Sequence, residues 1–166
     1  MWTRGVLRPT RTRGVFGRVN SDGPRSDSSP NVEPDSGPRP FAWHGVGEVI
    51  VADDEPAVLM VTARALERIG LTVTRCEHGA AAVTAFKADP DRWRLVVLDL
   101  SMPRLNGAQA LSAMRLIRPA LPAVLSSGYS ESEMRDSVPG EQGIVFLLKP
   151  FTVRSLSEAV RQVLGQ

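Results

Sequence analysis

From Glu48 onward, short apolar runs alternate along the chain with stretches whose apolar residues recur at helical spacing. The run Glu48 to Ala52 is continuously apolar at its centre, which is typical of a strand buried on both faces of a sheet. Further strands are predicted at Leu71 to Arg75, Arg94 to Leu98, Ala123 to Leu125 and Ile144 to Leu148. Because helices separate these strands, the pattern predicts an α/β fold: a doubly wound five-stranded parallel sheet with helices on both faces.

The helical stretches carry recognisable start and stop signals. Pro56 falls in the first turn of the first helix and Gly70 closes it. Further helices are predicted over His78 to Lys87, over Gly107 to Ile117, and after the capping residue Thr152. A short, weak helix is predicted over 131–136.

Polar residues follow the apolar runs at the ends of four predicted strands. Asp53 and Asp54 follow the first strand, Asp99 the third, Ser127 the fourth and Lys149 the fifth. Ligands bind outside the carboxyl ends of such strands, and three acids at one edge repel unless a cation compensates them. The pattern indicates a site for a divalent cation. Each residue taken singly has an ordinary explanation as a helix cap, a turn residue or a solvated charge.

The first 44 residues differ in composition from the rest. They hold seven Arg and four acids among many Gly, Pro and Ser, so residues 1–44 are predicted to be a disordered tail or linker and 45–166 the folded domain. The net charge of +2 comes from this tail, because the remainder carries 13 basic and 14 acidic residues. That balance argues against a nucleic-acid-binding domain. A transit peptide, a linker remnant and a misplaced start codon all remain open for the tail.

Other features exclude several classes of site. Cys76 is the only cysteine, so an internal disulfide or a multi-cysteine metal site is excluded. His44 and His78 lack a ligand or catalytic spacing, and no chemistry is assigned to them. No apolar run approaches the length of about 18 residues needed to span a bilayer. A soluble, cytoplasmic domain without a membrane partner is expected.

Four motifs, taken in order, resemble the receiver domain of two-component response regulators. They are VIVADDEP (Val49 to Pro56), VVLDLSMPRLNG (Val96 to Gly107), LSSGYS (Leu125 to Ser130) and FLLKPF (Phe146 to Phe151). The resemblance covers Gly47 to about Leu164. It implies the flavodoxin-like strand order 2-1-3-4-5 and phosphorylation on an aspartate.

The resemblance also implies a role for each site residue. Asp99 is expected to be the phosphoacceptor. Mg²⁺ is expected to bind Asp54 and Asp99 directly, Asp53 through water, and the backbone carbonyl of Ser101. Lys149 is expected to contact Asp99 before transfer and a phosphoryl oxygen after it, and a cis peptide before Pro150 would aim it inward.

A conformational switch is implied as well. Ser127 is expected to swing to a phosphoryl oxygen, which frees space that Phe146 enters. The changed surface would comprise the helix predicted at 131–136, the fifth strand and the last helix. Phe146 stands where the family often carries Tyr, so an output contact through that hydroxyl is excluded.

The expected partners are a sensor histidine kinase or phosphotransfer protein and a downstream protein, without a DNA-binding domain of its own. A receiver from a hybrid kinase and a stand-alone regulator both remain open, and the protein is expected to be a signalling phosphoacceptor rather than an enzyme. The main alternative is a haloacid-dehalogenase-type phosphatase, but Ser101 stands where such enzymes carry a second acid. A flavodoxin-like cofactor binder is disfavoured because Asp53, Asp54 and Glu55 would repel phosphate. A receiver-like domain that signals without phosphate is disfavoured because no acceptor, metal or lysine position is lost.

Overall fold

A computed structural model describes residues 43–128, 130, 132, 135, 138 and 142–165. Its elements are β1 (Glu48–Ala52), α1 (Pro56–Arg68), β2 (Thr72–Cys76), α2 (Gly79–Ala88), β3 (Trp93–Asp99), α3 (Gly107–Arg115), β4 (Ala123–Ser127), β5 (Ile144–Leu148) and α4 (Val153–Val163). The sheet has the order β2-β1-β3-β4-β5, and every neighbouring pair is parallel. The predicted fold class and strand order are confirmed.

The helices cover the sheet on both faces. Because side chains alternate along a strand, Ile50 and Ala52 of β1 pack on one side with residues of α2 and α3. Val49 and Val51 pack on the other side with residues of α1 and α4. All four are at most 1% exposed, so the continuously apolar run reflects burial on both faces.

Several predicted element ends differ from the structure. Asp99 and Ser127 are the last residues of β3 and β4, not the residues after them, because the strand register continues through Asp99 opposite Ser126 and Ser127 opposite Leu148. Trp93 also belongs to β3, so this strand begins one residue before the predicted Arg94.

The observed ends of β2 and α3 also differ from the predicted ones. β2 begins at Thr72 rather than Leu71, because the amide of Leu71 donates to the carbonyl of Leu66 and closes α1. α3 ends at Arg115 rather than Ile117, three residues before Arg118, whose position ahead of Pro119 disfavours helical backbone. His78 is the N-cap of α2 and not its first helical residue; its Nδ1 accepts from the amide of Ala81 at 3.0 Å.

The ends of the described chain limit two further predictions. The helix predicted at 131–136 lies largely outside the described residues, as does nearly all of the 1–44 segment, so the boundary between 44 and 45 stays a prediction. Trp43 already packs against the core on the α1 and α4 side, and the amide of Gly45 donates to Ile69 at 2.7 Å. Among the helices described, none is long and apolar enough to cross a membrane.

Candidate functional site

Three charged side chains meet at the carboxyl edge of the sheet. Lys149 Nζ lies 2.7 Å from Asp53 Oδ2 and 2.9 Å from Asp99 Oδ1. The side chains of Asp53 and Asp99 are 5% and 3% exposed, and that of Lys149 is 22% exposed. The three strands concerned are neighbours or near neighbours in the sheet, so the ammonium lies between two buried carboxylates.

Backbone groups hold these side chains in place. Asp53 Oδ1 accepts from the amide of Glu55 at 3.0 Å, and Asp99 Oδ2 accepts from the amide of Ser101 at 3.1 Å. The amide of Lys149 donates to the carbonyl of Ser127 at 2.7 Å, and the peptide bond between Lys149 and Pro150 is cis. Each charged group is therefore positioned by the loop that follows its strand.

Asp99 retains one incompletely satisfied oxygen. Its Oδ1 is buried and has no hydrogen-bond donor with acceptable geometry among the residues described, although Lys149 Nζ lies within ion-pair distance. We treat this contact as a charge–charge interaction, because its distance is short but its direction is poor for a hydrogen bond. A buried carboxylate oxygen in this state can still bind a cation or act as a nucleophile.

Burial and charge act in opposite directions on the site. Desolvation raises the pKa of Asp99 above its ordinary value, and the negative charge of Asp53 adds to this, while Lys149 and the amide of Ser101 only partly offset it. Burial by itself lowers the pKa of Lys149, but Asp53 and Asp99 outweigh it and raise that pKa overall. Lys149 is thus held as a cation, and the negative charge on Asp99 is incompletely compensated.

The donor set fits a divalent cation. Asp53, Asp54 and Asp99 each offer a carboxylate oxygen, and these oxygens lie within 4.8 Å of one another. Asp54 is exposed, and its carboxylate has no hydrogen bond or ion pair with any other described residue. Oxygen ligands of this kind suit Mg²⁺, and the exposed Asp54 leaves room for the water that Mg²⁺ retains.

The loop after β3 lies tightly against the site. A Cβ at Gly107 would collide with the carbonyl oxygen of Asp99, and one at Gly79 with the carbonyl oxygen of Leu105. Both contacts are with backbone, which cannot move aside as a flexible side chain would. The glycines thereby allow α2 and α3 to begin close to the acid cluster.

Ser127 and Phe146 lie on the neighbouring strands β4 and β5, where Phe146 is the register partner of Leu125, two residues before Ser127. Ser127 is fully buried at the end of β4, and Phe146 of β5 packs partly buried against the α2 and α3 side of the core. The guanidinium carbon of Arg135 lies 5.4 Å from the centre of the Phe146 ring. Because side chains alternate along a strand, Ser127 shares a face of β4 with Leu125, on the side of the sheet where Phe146 packs.

Sequence reasoning missed two features of this site. It expected Lys149 to contact Asp99 and did not foresee the shorter contact with Asp53, which joins residues 96 positions apart. It also gave no role to Arg104, whose φ of 69° lies in the left-handed region. The presence of Arg between Pro103 and Leu105 gives no sequence signal of that backbone conformation.

We expect Asp99→Asn to raise the free energy of unfolding at neutral pH without divalent cations. The raised pKa means that the folded protein holds the proton more tightly than the unfolded chain, so the associated stability is present below pH 3.8 and lost as pH rises through the folded pKa. Asn is a neutral isostere of Asp, so the variant does not lose this stability as the pH rises. The gain should be about 1 to 3 kcal/mol, the desolvation cost of a buried polar group short of partners.

Urea unfolding in EDTA measures this change, and an unchanged m-value shows that stability alone has changed. Asp91→Asn removes an exposed carboxylate at the other end of β3 and should leave the midpoint unchanged. A lower midpoint for Asp99→Asn would contradict the electrostatic account of this site.

Comparison with known proteins places this geometry in context. A family model described as response regulator receiver domain matches residues 49–161. The sensor kinase CckA of Brucella abortus is 31% identical over 120 residues, which are 72% of this chain and 13% of that kinase. The chain therefore spans a small part of this relative's length.

Solved structures agree on the fold. A response regulator receiver protein from Sinorhizobium medicae is 30% identical with a TM-score of 0.66, covering 72% of this chain and 95% of that one. The receiver domain of the sensor histidine kinase PA1611 from Pseudomonas aeruginosa has a TM-score of 0.64 at 20% identity, covers 74% of this chain and 100% of its own, and has a magnesium ion coordinated in its active site cleft.

Proposed function

Because this chain belongs to the response regulator receiver domain family of two-component systems, we propose that Asp99 is its phosphoacceptor. The observation that carries the proposal is the position of Asp99: a buried carboxylate, 2.9 Å from an ammonium and clustered with two further acids. Receiver domains are signalling phosphoacceptors in general. The dehalogenase-type phosphatase has no support among the relatives found.

The transfer step follows from these residues. An oxygen of the Asp99 carboxylate forms a bond to phosphorus as the bond from phosphorus to the donor's leaving atom breaks, and the bonding pair departs with that atom. The leaving atom is an imidazole nitrogen of a phosphohistidine or a carboxylate oxygen of acetyl phosphate. Phosphoryl transfer depends mainly on positioning and on charge stabilisation, so the fixed orientation of Asp99 is the protein's main contribution.

The surrounding charges compensate the phosphoryl group. Lys149, already held between Asp53 and Asp99, can donate to a phosphoryl oxygen without leaving the site. Mg²⁺ bound by Asp54 and Asp99, with Asp53 acting through water and the Ser101 carbonyl as a further ligand, would neutralise the acid cluster and the equatorial oxygens. The magnesium in the cleft of the P. aeruginosa receiver supports this choice of metal.

A protein donor has space to approach next to Lys149. A groove of about 480 Å³ lies between the start of α1 and the loop before α4, with mainly apolar walls that include Val58, Val61 and Phe151. Lys149 is one of the residues that line this groove, so a helix seated there would lie next to the site. A sensor histidine kinase or a phosphotransfer protein is the proposed donor, and the cytoplasm the proposed compartment.

Incubation with acetyl phosphate and Mg²⁺, followed by intact mass measurement, tests the proposed function. We expect a single addition of about 80 Da that is stable in acid and labile in base, as an acyl phosphate should be. In a second set of reactions, phosphorylated histidine kinases replace acetyl phosphate as the phosphoryl donor. A chain that gains no mass from acetyl phosphate or from any kinase in a panel would refute the proposal.

The proposed switch links Ser127 to Phe146. A phosphoryl oxygen near Asp99 offers the Ser127 hydroxyl an acceptor, and its movement vacates space on the face where Phe146 packs. We expect beryllofluoride with Mg²⁺ to shift the NMR signals of Phe146 and of the last residues of strand β5. Ser127→Ala should abolish the shift at Phe146 while preserving the shifts of the β3 loop; identical spectra for both proteins would contradict the coupling.

A further inference from the structure

Arg104 has a strained backbone close to the acid cluster. Its φ is 69°, and it is the only non-glycine with positive φ in the part of the chain that the structure describes. The amide of Leu105 donates to the carbonyl of Pro103 at 2.9 Å, which closes a tight turn around Arg104. A turn of this kind is rare and unfavourable for any residue with a Cβ. Strain that persists in a loop beside a reactive carboxylate suggests a function for the side chain.

The Arg104 side chain has no partner among the residues that the structure describes. It is exposed, and it forms no hydrogen bond or ion pair with another residue among those described. Some other arginines are engaged: Arg115 donates to the carbonyls of Leu121 and Gln142, and Arg118 donates to that of Trp93. Arg104 therefore presents its whole donor fork to solvent.

This guanidinium lines a cavity that is also lined by Asp54, the exposed member of the acid cluster. The cavity holds about 360 Å³, and its walls include Asp54, Glu77, His78 and Arg104. Asp54 and Arg104 thus border the same space. Once a divalent cation compensates Asp54, Arg104 supplies the positive charge on this side of the entrance.

We propose that Arg104 is a specificity-determining residue that binds the phosphoryl anion of the donor as it enters the site. The inference rests on the proposed function and deepens it. The planar guanidinium can donate two parallel hydrogen bonds to a phosphoryl group. The turn holds this group beside the cavity that Asp54 also lines, and Glu77 in the same lining repels the same anion.

The first test measures the second-order rate constant of phosphorylation in wild type, Arg104→Gln, Arg104→Lys and Arg104→Gly. The Gln and Gly variants should be about tenfold slower, corresponding to one charge-assisted hydrogen bond, and the Lys variant should lie between them and wild type. Raising the salt concentration should reduce the difference. Arg104→Gly should also unfold at a higher urea concentration, because glycine relieves the strained turn. A Gly variant as fast as wild type would show that Arg104 serves only the turn and overturn the proposal.

Glu77→Gln is the matched control in the same cavity lining. Removing its negative charge should accelerate the reaction, an opposite effect that a purely structural role of this loop would not produce. Comparing acetyl phosphate with phosphoimidazole as donors shows which part of the donor Arg104 binds. An equal loss with both donors supports recognition of the phosphoryl group, whereas a loss confined to acetyl phosphate would mean that the acyl portion is bound and would overturn the proposal.

A binding measurement separates this inference from the proposed role of Asp99. NMR titration of Asp99→Asn with acetyl phosphate and Mg²⁺ gives a dissociation constant without any transfer. Adding Arg104→Gln in this background should weaken binding several-fold, by about the same factor as the rate. Equal affinities would overturn the proposal, whether or not wild type accepts a phosphoryl group at Asp99.

Discussion

Asp99→Asn should gain no mass when incubated with acetyl phosphate and Mg²⁺, under conditions that phosphorylate the wild-type chain to completion. The amide is isosteric with the carboxylate and can keep the hydrogen bond from Ser101, but its oxygen is a poor nucleophile. The variant should fold at least as well as wild type, because the substitution removes a desolvated charge. Complete loss of acceptance in a more stable protein cannot be attributed to unfolding.

Asp91→Asn is the matched control for this experiment. Asp91 lies two residues before the start of β3, at the opposite edge of the sheet, and is exposed. It should accept phosphate at the wild-type rate. Peptide mapping after borohydride reduction should place the wild-type modification on the peptide containing Asp99. A modification on Asp53 or Asp54, or persistent acceptance by Asp99→Asn, would show that the acceptor is misassigned.

Removal of Mg²⁺ should abolish phosphoryl transfer in the wild-type chain. Without the cation, the incoming dianion would meet a cluster of three carboxylates that Lys149 alone compensates. Mg²⁺ should also raise the melting temperature, since a ligand that binds only the folded state stabilises it by about 1.4 kcal/mol at ten times its dissociation constant. For a domain of this size, that corresponds to several degrees.

The metal prediction has its own matched pair of variants. Asp54→Asn removes a carboxylate from the cluster and should lose most of the Mg²⁺-dependent rise in melting temperature. Glu55→Gln removes the adjacent exposed acid, which is outside the cluster. This variant should keep the Mg²⁺-dependent rise in melting temperature. Equal rises in both variants would indicate binding elsewhere, and transfer that survives EDTA would argue against a metal-dependent reaction.

The fold was predictable because its signals are local. β1 and β5 have the bounds that their apolar runs predict, and α1 begins at Pro56. The errors occur at element ends, where polar side chains hide a continuing strand: Asp99 and Ser127 were expected after their strands, yet both remain in the sheet. Backbone hydrogen bonding, which the side-chain pattern does not report, determines those ends.

The site was predictable in its members but not in its contacts. Acids and a lysine at strand ends indicated a charged cluster, and the motifs implied a role for each residue. The contact between Lys149 and Asp53 joins residues 96 positions apart, which follow strands β5 and β1 that are not neighbours in the sheet. Arg104 carried no signal, because its unusual backbone results from the way the loop closes between β3 and α3.

The sequence alone determined which strands and helices form and which kinds of side chain lie at the carboxyl edge of the sheet, since alternation and helical spacing act between residues close in the chain. Only the tertiary structure decided how deeply Asp99 is buried, that Lys149 contacts two carboxylates, and that Arg104 borders the same cavity as Asp54. The physical reason is that desolvation and Coulomb energy depend on distances in space, which the packing of distant segments sets.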